Sequence, residues 1–222
     1  MKLRNSPQKI KKKLSPAIKE RCKHFDKYWK KCFPDSVPVV SGPDAYGEPS
    51  AGTTARIWDA THRLIGIKST DIVVDIGSGA GKLLHSSKFF CPTGNVKLRG
   101  IESHLPIFQA SQRILNDYPL PNADLQFGDA AEVKDWGPAT IGYRYDGCPG
   151  VDLNEKHETI TLAFLKTPSA RALFSTKLNE TWFMQYTSQD RAIRKNWVLF
   201  KLKALKFGKS THQVGSCYHC CL

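Results

Sequence analysis

Asp75 closes an apolar run, and glycines follow it at 77, 79 and 81; two more acids, Glu102 and Asp129, end later apolar runs. The β-branched stretch 71–76, passing into Gly77-Ser78-Gly79-Ala80-Gly81-Lys82, reads as a buried parallel strand that turns sharply into a helix. Glycines at such a turn let a nucleoside approach the backbone. Glu102 stands 21 residues beyond Gly81, where a carboxylate can accept hydrogen bonds from both hydroxyls of a ribose. Asp129, after Gly128 and beside Ala130, is placed to accept from an adenine amino group. The chemistry implied is the binding of a nucleoside cofactor across the ends of consecutive strands.

Nicotinamide enzymes share the ribose-binding acid, so the cofactor has to be chosen on other grounds. The glycines run Gly-x-Gly-x-Gly, which breaks the Gly-x-Gly-x-x-Gly dinucleotide fingerprint. Asp75 would also repel a pyrophosphate, whereas a cofactor carrying an amino group and a sulfonium would be drawn to it. S-adenosylmethionine fits both features.

Strands and helices alternate around these residues. Strands are predicted at 71–76, 96–102, 124–127, 140–145 and 170–176, with helices at 52–66, 82–90, 105–118 and 153–166 between them. A terminal antiparallel pair is predicted at 197–205 and 213–219. The expected fold is α/β: a seven-stranded, mostly parallel, Rossmann-like sheet with helices on both faces and an N-terminal basic helical arm. Residues 34–53, rich in Pro, Gly and Ser, read as a loop. The chain divides into an arm, 1–33, and a catalytic domain, 34–222.

The charge lies mostly in the arm. Residues 1–33 hold 12 Lys and Arg against 2 acids, leaving only +3 of the chain's +13 for the remaining 189 residues. Ser15-Pro16 gives a helix N-cap with proline in the first turn. Leu14, Ile18, Cys22, Phe25, Trp29 and Cys32 then recur at spacings of three and four, one apolar stripe to dock on the body. Lys19, Lys23, Lys27 and Lys30 face outward and, with Lys9, Lys11, Lys12 and Lys13 of the tail, suit a polyanion: a nucleosome with its histones and DNA, or RNA. Residues 9–13 also have the character of a nuclear import signal, so a nuclear location is expected, with the cytoplasm as the alternative. No apolar run is long enough for a membrane span. Seven cysteines without framework spacing suggest reduced thiols, and no metal is expected, although Cys217, His219, Cys220 and Cys221 cluster.

Taken together, Tyr46-Gly47-Glu48, Val74 to Lys82, Gly100-Ile101-Glu102 and Gly128-Asp129-Ala130 with Asp135-Trp136 resemble, in order and spacing, the Dot1-type histone lysine methyltransferases of the class I S-adenosylmethionine-dependent methyltransferases. The resemblance covers about residues 40–140. It implies that Tyr46, Gly47 and Glu48 close over the cofactor, alongside Asp75, Gly77, Ser78, Gly79, Gly81, Lys82, Glu102, Asp129 and Ala130. Where that family carries an Asn-Asn pair, this chain has Arg144-Tyr145-Asp146. Tyr46 and Tyr145 are candidates to line an acceptor channel, together with Tyr143, and Asp146 could take a proton or anchor an amine. Two other activities stay open: an RNA methyltransferase using the same arm, and a non-catalytic nucleic-acid-binding module that keeps a residual cofactor pocket.

Overall fold

Ile72-Val-Val-Asp-Ile76 combines β-branched side chains with burial on both faces, the pattern of a central parallel strand. The computed structural model describes residues 14–33, 48–144 and 154–175, and two later strands, 198–202 and 217–221, in backbone only. The strands are β1 (Ile72–Ile76), β2 (Lys97–Glu102), β3 (Ala123–Phe127), β4 (Ile141–Arg144), β5 (Ala172–Ser175), β6 (Val198–Leu202) and β7 (Cys217–Cys221). Their order across the sheet is β3-β2-β1-β4-β5-β7-β6. The first five strands are parallel, and β7 runs antiparallel to both β5 and β6. The last strand begins at Cys217 rather than at 213, in a register that pairs Leu173 with Cys220.

Side-chain alternation sorts the core into two layers. Val74, Ile76, Ile101 and Leu173 pack with Trp136 and with Ile160 and Phe164 of α5 (Asn154–Leu165). On the opposite face Val73, Leu98, Ile141, Tyr143 and Phe174 pack with Ile57 and Trp58 of α2 (Ala51–Ile65) and with Leu83 and Leu84 of α3 (Lys82–Phe90). Helix α4 (Leu105–Asp117) lies against β2 and β3. Helices therefore cover both faces, as the alternating pattern predicted. No described helix is long and apolar enough to cross a membrane.

Helix α1 (Pro16–Cys32) starts where Ser15-Pro16 predicted: the Ser15 side chain accepts from the Ile18 amide, 3.3 Å away. Its stripe buries Phe25 completely and Trp29 and Cys32 almost so, against Phe89, Phe90 and Ala51. Lys19, Lys23, Lys27 and Lys30 are exposed. The helix packs on α2 and α3, so the helical half of the basic segment belongs to the layered body. Lys9, Lys11, Lys12 and Lys13 lie outside the described residues.

Candidate cofactor site

β1 has β2 on one side and β4 on the other, and the chain departs from β1 toward opposite edges of the sheet. A crevice opens at such a switch point beyond the strands' C-terminal ends, and ligands of α/β sheets bind there. Asp75, the glycine turn and Glu102 all stand at that end.

The turn is fastened to β2. The amides of Gly77 and Ser78 both donate to the carbonyl of Ile101, at 3.0 and 2.9 Å. The Gly79 amide donates to Glu102 Oε2 at 2.8 Å, and the His104 amide to Oε1 at 2.8 Å. Each carboxylate oxygen keeps a further lone pair for a ligand. Gly77 has φ +74°, and a Cβ there would meet nothing within 4 Å, so the turn is open on that side. Gly81 differs. Its φ is +86° and a Cβ would press on Ser111 Oγ at 3.1 Å, so this glycine serves the packing of α3 on α4. The sequence placed it against the cofactor; its missing side chain points into the protein.

Gly100 is the residue whose role spacing alone concealed. It pairs with Asp75 across the ladder. A Cβ on it would lie 2.8 Å from Ser78 Oγ and 2.8 Å from Leu125 Cδ2, so its absence lets Ser78 rest on β2. Ser78 Oγ is buried and has no hydrogen-bond partner among the described residues, which leaves a polar group to be satisfied at the turn.

Asp75 is 4 % exposed. Burial, and after it the neighbouring Glu102 charge, push its carboxyl well above the usual aspartate range. Helix α3 has Gly81 and no side chain as its N-cap, so Asp75 is not engaged in capping.

Asp129 lies further along the crevice, at the end of β3. Its Oδ1 accepts from the Ala131 amide at 2.9 Å and caps the short 3-10 turn Ala130–Glu132; its Oδ2 accepts from Lys156 Nζ at 2.8 Å. The Lys156 hydrogen bond and then the Ala131 amide hold its carboxyl below the ordinary value. It is fixed as an anion, and its first duty is to shape the Ala130 turn.

Glu48 and Lys82 do not both face the crevice as independent contacts. Lys82 Nζ donates to Glu48 Oε2 at 3.1 Å, and Trp29 Nε1 donates to the same oxygen at 2.9 Å. Beside them, Tyr28 Oη and His85 Nδ1 share a hydrogen bond of 2.9 Å. Burial, then Lys88, lowers His85 to about 4, so its ring is neutral at pH 7. Spacing put Trp29 on the apolar stripe but gave no sign of its bond to Glu48, 19 residues away, nor of the Tyr28–His85 pair, 57 residues apart.

Of the acceptor-channel candidates, Tyr46, Tyr145 and Asp146 lie outside the described residues, as does Gly47 of the expected cofactor loop. Tyr143 is described and is no channel residue. It is buried between Trp58 and Phe174, with its hydroxyl bonded to Thr61 Oγ1. Alternation turned it into the α2–α3 layer.

No family description matches the sequence, and no curated protein matches it. Solved structures do match in shape. A Pyrococcus horikoshii protein provisionally described as an RNA methyltransferase aligns with a TM-score of 0.60 at 11 % identity, over 94 % of this chain and 97 % of its own. A human methyltransferase 10 domain containing protein aligns with 0.58 at 9 % identity, over 91 % and 96 %. The methyltransferase domain of a bacterial Hen1 aligns with 0.57 at 10 % identity, over 79 % and 100 %. The chain therefore has the α/β, Rossmann-like fold that these methyltransferases share. These likenesses lend no support to a Dot1-type lysine specificity.

Proposed function

We propose that the chain is an S-adenosylmethionine-dependent methyltransferase whose acceptor is RNA. The observation that carries the cofactor is Asp75, a carboxyl buried at the C-terminal end of the central strand beside a second acid. A cation delivered by a ligand would relieve that arrangement, and a pyrophosphate would worsen it. The amino group of S-adenosylmethionine belongs at Asp75 and the ribose hydroxyls at Glu102, whose orientation the Gly79 and His104 amides already fix. Gly77 leaves room for the bound group, and the Ala130 turn, braced by Asp129, borders the adenine.

When bound, S-adenosylmethionine supplies an electrophilic methyl group on a sulfonium sulfur. The chain's own part is positional: it orients the cofactor, keeps the crevice dry and presents the acceptor in line. Support for RNA as acceptor comes from the exposed lysines of α1 and from the likeness to the Pyrococcus protein, while Arg144-Tyr145-Asp146, standing where a Dot1-type enzyme has Asn-Asn, counts against the lysine reading. Polyanion binding by such a face is driven by counterion release.

The test is incubation with methyl-labelled S-adenosylmethionine and, separately, bulk RNA, nucleosomes and free histones. Label is expected in RNA, and it should vanish with Glu102→Ala. Label confined to histones would reinstate the lysine-methyltransferase reading; no label in any acceptor, with no cofactor bound, would reject the enzyme.

A further inference from the structure

We propose that Trp29 and Glu48 are positioning residues for the glycine turn, so that the basic helix α1 is built into the cofactor site it flanks. Lys82 is the first residue of α3, immediately after Gly81. A cation in the first turn opposes the helix dipole, and the first turn of α3 contains no acid of its own. Glu48 supplies the missing charge from outside the helix. The Lys82 and Glu48 side chains are only 13 % and 18 % exposed, so the pair is sheltered and an unpaired Lys82 would be poorly tolerated.

The third partner comes from α1. Trp29 Nε1 donates to the same Oε2 that takes Lys82, and the Lys82 ammonium lies 5.9 Å over the Trp29 ring. The indole is itself locked, with ring centroids 6.3 Å from Phe25 and 5.6 Å from His85. One rigid side chain thus fixes the carboxylate, the carboxylate fixes Lys82, and Lys82 fixes the point where the turn becomes helix. Glu48 also stands two residues before Ser50, the N-cap of α2, which ties the entry to that helix to the same point. Polyanion held by the lysines of α1 and cofactor held by the turn would then share one mechanical element, and any coupling between them is reciprocal.

The inference leans on the proposed cofactor site for one of its two readouts; the other needs no ligand. Trp29→Phe keeps a ring in the pocket and removes the N–H. Glu48→Gln keeps an acceptor for the indole and removes the charge facing Lys82. Amide exchange at Gly81 and His85, whose N–H groups close the turn and the first helical bond, is expected to quicken about tenfold in either variant without added ligand. S-adenosylmethionine affinity is expected to fall about tenfold, the scale of one charge-assisted hydrogen bond. The double variant should lose little more than either single, because the two residues act as one unit. Unchanged exchange at Gly81 and His85, or losses that simply add, would overturn the proposal. If the wild type binds no S-adenosylmethionine, the proposed function falls, and exchange still decides whether Trp29 and Glu48 position the turn.

Discussion

Replacing Asp75 with Asn should stabilise the ligand-free protein and abolish cofactor binding. Burial first, and Glu102 second, raise the Asp75 carboxyl well above its ordinary 3.8. A buried acid with a raised value favours folding fully only below the unfolded value, and that contribution is lost as pH climbs through the folded value. From 3.8 upward, wild-type stability should therefore decline relative to the variant. Each pH unit over which the folded carboxyl stays protonated while the unfolded one has ionised costs about 1.4 kcal/mol. Asn carries no ionisation cost but buries an amide of its own, so a net gain of about 1–2 kcal/mol is reasonable. In a chain of 222 residues that corresponds to about 2–8 °C in Tm. Calorimetry between pH 4 and 8, with and without S-adenosylmethionine, reads both effects. The variant should be no more stable than the wild type near pH 4, exceed it at pH 8, and gain nothing from the cofactor. Parallel pH profiles, with the Asp75→Asn protein the less stable of the two, would refute the reasoning and make Asp75 a structural acid.

Three further expectations follow from the same geometry. His85, held neutral by burial and lowered to about 4, loses its stabilising contribution as pH falls from 6.5 toward 4; His85→Gln should flatten urea-unfolding stability over that window by up to about 3 kcal/mol. Gly100→Ala drives a methyl into Ser78 and Leu125 at 2.8 Å and should cost ~1–3 kcal/mol, measured by denaturant titration, with a displaced turn that binds cofactor poorly. Replacing Lys19, Lys27 and Lys30 together by Ala should lower the salt dependence of RNA affinity by about two in log–log slope, at ~0.7 per contact. Lys23, 2.9 Å from Glu20, should contribute less, and an unaltered slope in anisotropy titrations would remove α1 from the interface.

The sheet was legible because short apolar runs alternate with longer helix-spaced segments, the first of them, Ile72 to Ile76, being strongly β-branched. Each of the five parallel strands lies within a residue or two of its predicted bounds. The α1 stripe was equally legible, since three- and four-residue spacing specifies one face, and the Ser15 cap marked its start. What spacing could not reveal was direction. Gly77, Gly79 and Gly81 look alike in sequence, yet a Cβ at Gly77 meets open space and one at Gly81 meets Ser111. Tyr143 looked like a channel residue until strand alternation turned it into the core. Glu48 and Lys82 were both expected at the cofactor; their ion pair, and the Trp29 indole that completes it, join residues 19 and 34 positions apart. Such pairings have no local signature, so only the packing of α1 on α3 exposes them.

The most direct test of the central claim is a crystal structure of the chain with S-adenosylmethionine bound. Its ribose hydroxyls are expected on the Glu102 carboxylate, its amino group on Asp75 and its adenine beside Ala130. Cofactor density elsewhere on the protein, or a bound cofactor whose amino group avoids Asp75, would contradict the assignment.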